Sequence, residues 1–160
     1  MPTLPDVATL VALYDQINQY GRANGMQLTV HAPGRVSYAM TVQEQHLSSP
    51  GTAHGGILAG LMDAVLGAAA LTQAFLDQEF VSTVEFKLNF LHPVHLHDAL
   101  LAHAEVEHHG KSLVVVGGRI ECPARDVVVA RGLGTFNRYP ATKREFVQAV
   151  AGQLGLEGSR

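Results

Sequence analysis

The chain reads as an α+β domain in which an antiparallel sheet wraps one long buried helix. Three observations predict this. Residues 53–76 form a single helical stretch that is apolar on nearly every side and crowded with Ala and Gly, so it has to be surrounded by protein. After Asp77 the hydrophobic pattern changes to a period of two through four successive segments. Turn signals at residues 92–98, 109–111 and 122–126 join those segments in sequence, as antiparallel strands require. A length of 160 residues suits one domain and supports a core without disulfides or metals. The expected plan is an N-terminal helix at about 6–20, a core at about 27–138 and a peripheral tail at about 140–160.

Residues 6–20 place Val7, Leu10, Val11, Tyr14 and Ile17 at helical spacing, with Asp6 as N-cap and Gly21 as stop. A strand pattern around Leu28 and Val30, a turn at Pro33-Gly34 and alternation at Val36, Tyr38, Met40 and Val42 predict two antiparallel strands. Residues 46–52, His-Leu-Ser-Ser-Pro-Gly-Thr, read as a loop. The later strands are expected at Val84, Phe86, Leu88 and Phe90, then at 101–106, 113–120 and 127–136.

Composition removes several classes of function. The net charge of -3, with no run of five like charges, gives no general attraction for nucleic acid or an anionic membrane. Cys122 is the only cysteine, which excludes an intrachain disulfide. Residues 1–10 lack the basic region and continuous apolar core of a secretory signal, so a cytoplasmic location is expected. The longest apolar stretch is interrupted by Asp63 and by glycines, which favours a buried helix over a membrane span.

Asp63 is the residue that demands an account. Burying an unpaired carboxylate costs several kcal/mol, so it must be paired, line a cavity or titrate abnormally. At the start of the same helix, around His54, Gly51 and the Gly55-Gly56 pair place small residues where backbone N–H groups have no partner within the helix. A carbonyl oxygen can approach such donors closely, and the helix dipole adds to their pull. Gly55 and Asp63 are eight residues apart, roughly 12 Å of rise and about 80° of rotation, so one ester or thioester carbonyl cannot touch both. If both serve one reaction, they come from two antiparallel copies of the helix across a two-fold axis. A homodimer with shared sites is the expectation.

Other candidates are weaker. His95 and His97 in His-Pro-Val-His-Leu-His would share one strand face with His92 nearby, but no Cys or acidic partner is interleaved at ligand spacing, and no metal is expected. Cys122 precedes Pro123, away from any helix N-terminus that would activate it. No Gly-X-Ser-X-Gly elbow is present.

The assembled motifs, SSPGTAHGGILAGLMDAVLGAAA, VSTVEFKLNFLHPV and HHGKSLVVVGGRIECPARDVVVARGLGTF, resemble the hotdog-fold acyl-CoA thioesterases of the phenylacetic-acid-degradation (PaaI-like) type over residues 35–138. The resemblance implies five or six antiparallel strands around the helix, dimers that pair into tetramers, an acyl-CoA substrate and no cofactor. It implies the Gly55 amide as donor to the thioester oxygen and Asp63 of the partner subunit as general base or nucleophile. Thr83 falls where a hydroxyl positions the attacking water, while His54 and Gly56 shape the substrate pocket. Ser48 stands where similar enzymes often carry Asn, with shorter reach and no amide donors.

Aromatic, hydroxyaromatic and medium-chain acyl groups all fit this reading, with pocket length set by Leu58, Met62, Leu66 and the partner sheet. Lys111, Arg119, Arg131, Arg138, Lys143 and Arg144 are the candidates for holding coenzyme A phosphates. Two rival functions are a hotdog hydratase or dehydratase, which the Gly-Gly after His54 disfavours, and a non-catalytic acyl-CoA-binding module, for which the chain offers no basic output helix.

Overall fold

The computed structural model describes residues 6–140. The tail expected after 140, with Lys143 and Arg144, lies outside the described residues. Asp6 opens the first helix, α1 (Val7–Ile17), its carboxylate accepting from the Thr9 amide at 2.8 Å. The helix does not continue to Tyr20 as its periodicity suggests. Asn18 ends it, its N–H donating to the Tyr14 carbonyl, and starts α2 (Gln19–Ala23), its side chain accepting from the Gly21 amide at 2.9 Å. Short amide side chains compete with the helix for backbone donors in this way. Gly21, expected as a stop, is instead buried inside α2.

Two strands follow, β1 (Gln27–Ala32) and β2 (Arg35–Thr41), paired antiparallel through Pro33-Gly34. Where a plain loop was expected, a small hairpin forms from β3 (Leu47–Ser49) and β4 (Thr52–Ala53). Strands of three and two residues are too short to show alternation. The apolar stretch is α3 (Gly55–Ala74). Beyond it come β5 (Glu79–Phe90), β6 (Ala99–His109), β7 (Leu113–Cys122) and β8 (Val127–Pro140). The main sheet has six antiparallel strands in the order β1-β2-β6-β7-β8-β5.

Helix α3 lies against the inner face of this sheet, with Leu61, Met62, Val65 and Leu66 inaccessible to solvent. Glycines in the strands let it come close. A Cβ at Gly118 would stand 2.9 Å from a Leu66 methyl, and one at Gly132 2.8 Å from Met62 Cγ. These strand glycines therefore mark where another element approaches the backbone, and each large side chain seated there contributes about 1.5–3 kcal/mol of burial. The segment Gly55–Asp77 is long and apolar enough to cross a membrane by length and composition, but over half of it is buried inside this fold.

Strand β5 carries the one irregularity that matters for the site. Its register with β8 shifts between Thr83 and Glu85, leaving Val84 as a bulge. Val81 packs on the core before the bulge, and Phe86 and Leu88 pack on it after, so the inward phase changes within one strand. Val84, expected on the apolar face, is 58% exposed, and Thr83 takes the inward direction instead.

Candidate active site

The N-terminus of α3 is assembled by four hydrogen bonds. The Ala53 N–H donates to the Val94 carbonyl at 2.8 Å, and the His54 N–H donates to the His46 carbonyl at 2.7 Å. His54 is the N-cap, its Nδ1 accepting from the Gly56 amide at 2.7 Å and its carbonyl accepting from the Ile57 amide at 3.1 Å. An accepting Nδ1 assigns the proton of the neutral ring to Nε2, which points away from the cap. Gly56 therefore spends its amide on His54. Among the described residues the Gly55 N–H has no acceptor, and it stands at the positive end of a helix of 20 residues.

His46 is a residue that sequence reasoning missed. It is buried, its Nδ1 accepts from the Gln43 amide at 3.0 Å and its Nε2 faces Asn24 Oδ1 at 3.2 Å. Burial holds its pKa below the ordinary value. Its carbonyl fixes His54 across the small hairpin, a contact that no spacing in the sequence announces.

Two turns along the helix, Asp63 is partly buried and accepts from Thr83 Oγ1 at 2.9 Å. The sequence pointed to both residues, and the structure brings them together in one chain. Tyr14 and Tyr20, from the N-terminal helices, also feel this carboxylate. Burial first, and the charge of Asp63 second, raise the pKa of each phenol.

Gly55 faces an open cleft of about 330 Å³, walled by Ala53, Leu58, Phe90, Leu91 and Pro93. The Phe90 ring lies over Gly55, 3.2 Å from where a Cβ would stand. Gly55 and Asp63 remain on one helix, separated by about 12 Å along its axis, so a single chain holds only half of the constellation at either place.

Several expected residues sit elsewhere. Ser48 is exposed on β3, and its hydroxyl makes no hydrogen bond among the described residues. Met62 and Leu66 belong to the core, leaving Leu58 as the member of that trio on the cleft. Arg138 is committed elsewhere, its side chain 9% exposed between Asp77, Glu79 and the Gly110 carbonyl. Arg119 pairs with Glu121. Arg131 lines a groove of about 710 Å³ with Arg35, His103 and Glu105. Lys111 is exposed in the β6–β7 turn. His95 forms an isolated bridge with Thr52 and His97 lies in the following turn with φ 70°, so the two are not on a common strand face.

A six-stranded antiparallel sheet wrapped about a long helix, with a donor-bearing helix start and a carboxylate two turns on, defines a hotdog-fold protein. The chain belongs to the thioesterase superfamily, whose family model matches residues 50–129, and its class is that of the thioester hydrolases. Human acyl-coenzyme A thioesterase 13 is 30% identical over 107 residues, covering 65% of this chain and 73% of that protein. The PaaI protein of the Escherichia coli phenylacetic acid degradation operon superposes with a TM-score of 0.74 at 27% identity, over 83% of this chain and 94% of that one. A thioesterase family protein from Silicibacter pomeroyi gives 0.76 at 25% identity, over 84% and 98%.

Proposed function

We propose that this chain is an acyl-CoA thioesterase that hydrolyses an aromatic or medium-chain acyl-CoA to the free acid and coenzyme A. The observation that carries the mechanism is the Gly55 amide, which has no acceptor among the described residues at the start of α3. The thioester oxygen binds there. Asp63 of the partner subunit takes a proton from water as the water oxygen attacks the carbonyl carbon. The negative charge that develops on the oxygen rests on the Gly55 N–H and the helix dipole. Collapse of the intermediate breaks the carbon–sulfur bond, and the departing thiolate takes up the proton held by Asp63, which returns to its carboxylate form.

Thr83 keeps one carboxylate oxygen of Asp63 engaged and so fixes the other toward the water. General base catalysis contributes about 10²–10⁴-fold, and one oxyanion donor about 10²–10³-fold. Direct attack by Asp63 is the alternative first step; a single turnover in isotopically labelled water labels Asp63 only by that route.

Sharing of the site between two copies is supported by the surface of the chain. Strand β5 ends the sheet among the described strands and is 12 residues long, with Val84 and Phe90 exposed. A long unpaired edge of this kind invites pairing with a second chain. Gly56, Ala59, Ala64 and Gly67 keep one side of α3 narrow and partly open, suited to a second helix. Dimers of this kind pair further into tetramers.

The test is free-thiol release from phenylacetyl-, hydroxybenzoyl-, hexanoyl- and palmitoyl-CoA by wild type and Asp63→Asn. At least one acyl-CoA is expected to turn over, with kcat falling about 10²-fold or more in the variant. Equal rates in a folded variant would remove Asp63 from the mechanism.

A further inference from the structure

The N-terminal helices lie outside the region matched by the family model, yet they reach the site. Asn18 ties them to the sheet, its side-chain amide facing the Tyr38 hydroxyl at 3.4 Å while its carbonyl oxygen caps α2. Two residues on, Tyr20 projects onto α3. Its hydroxyl occupies the space that a side chain at position 60 would take, and its ring atoms Cζ and Cε1 stand 2.7 and 2.9 Å from where a Cβ of residue 60 would be. Glycine at 60 is what lets the phenol lie on the helix backbone.

Position 60 is one turn before Asp63, and residues three apart share a helix face. The phenol is 48% exposed, makes no hydrogen bond among the described residues and lies near enough to feel the charge of Asp63. An exposed aromatic side chain seated on a glycine beside a reactive carboxylate is a wall that a bound molecule must meet.

We propose that Tyr20 lines the acyl-binding space beside Asp63 and limits the size of the acyl group that the enzyme accepts. This rests on the thioesterase reading for the reaction but not for the binding. Gly60 acts with it as the tread on which the ring rests. Both residues are specificity determinants; neither takes part in bond making.

The experiment pairs two series of saturated acyl groups of increasing length. One is hydrolysable acyl-CoA, read by thiol release as kcat/KM. The other is the matching non-hydrolysable thioether, read by calorimetric Kd. Both are run on wild type, Tyr20→Ala, Tyr20→Phe, Gly60→Ala and the double variant Gly60→Ala/Tyr20→Ala. Tyr20→Ala is expected to raise the preference for long over short chains by about tenfold, the scale of a few methylene contacts. Tyr20→Phe, which keeps the ring, restores the short-chain preference.

Gly60→Ala displaces the ring and changes the length profile, but has no further effect where Tyr20 is already Ala. A length profile that is the same in wild type and Tyr20→Ala would overturn the proposal, as would an equal effect of Gly60→Ala in both backgrounds. A shifted thioether profile without thiol release from any thioester would uphold Tyr20 and defeat the hydrolase reading. Absence of thioether binding by wild type would defeat both.

Discussion

Asp63 and Thr83 form the pair on which the proposed chemistry turns. A hydrogen bond to a charged acceptor is worth about 1.5–3 kcal/mol, so Thr83→Val is expected to lower kcat by roughly tenfold or more, with less effect on KM. Steady-state kinetics on the best substrate checks this, and Thr83→Ser should recover most of the loss. Asp63 itself was legible in the sequence because a carboxylate inside an apolar helix is too costly to be incidental. The partnership with Thr83 was less so. It depends on the bulge at Val84, and a register shift leaves no mark in an alternation that continues apolar on both sides of it. His46 was invisible for a similar reason, since its role is a carbonyl contact across a hairpin whose strands are too short to read.

At the scale of elements, the start of α3 depends on an imidazole acting as a cap. Removing it in His54→Ala should cost about 1 kcal/mol, measured as a lower urea midpoint at unchanged slope, while His54→Asn, which keeps an acceptor, should lose less. The support beneath it responds to acid. Because burial holds the His46 pKa below its ordinary 6.5, the unfolded chain takes up a proton first as the pH falls. Its contribution to stability is full above about pH 6.5 and is lost below it, toward the lower folded value. Thermal midpoints between pH 7.5 and 5 should therefore fall less steeply in His46→Gln than in wild type; parallel curves would contradict this account. The long helix and the six strands of the main sheet were readable because their hydrophobic periods persist over six residues or more. The break at Asn18 was not, since the apolar spacing runs on through it and the capping bond to Gly21 decides the matter locally.

At the scale of the molecule, one chain offers an amide without an acceptor at one end of a helix and a carboxylate about 12 Å along it, and a strand at the edge of the described sheet. That separation was available from the sequence by counting residues. Which strand is left at the edge, free for the proposed second copy, was not, because the position of β5 follows from the strand order and not from its own composition. Light scattering is expected to give a particle of at least two chains at micromolar concentration, and a monomer that retains thiol release would refute the shared site.

Complementation tests that sharing most directly. Gly55→Pro removes the proposed donor at a first helical position that tolerates proline, after a His54 already extended at φ -68° and ψ 138°. Asp63→Asn removes the base. Each variant alone should be nearly inactive. Co-expressed in equal amounts, half of the dimers are mixed, and each mixed dimer holds one intact site of two, so the mixture should recover about a quarter of wild-type thiol release. A mixture no more active than the two variants measured separately would show that donor and carboxylate do not act across two chains.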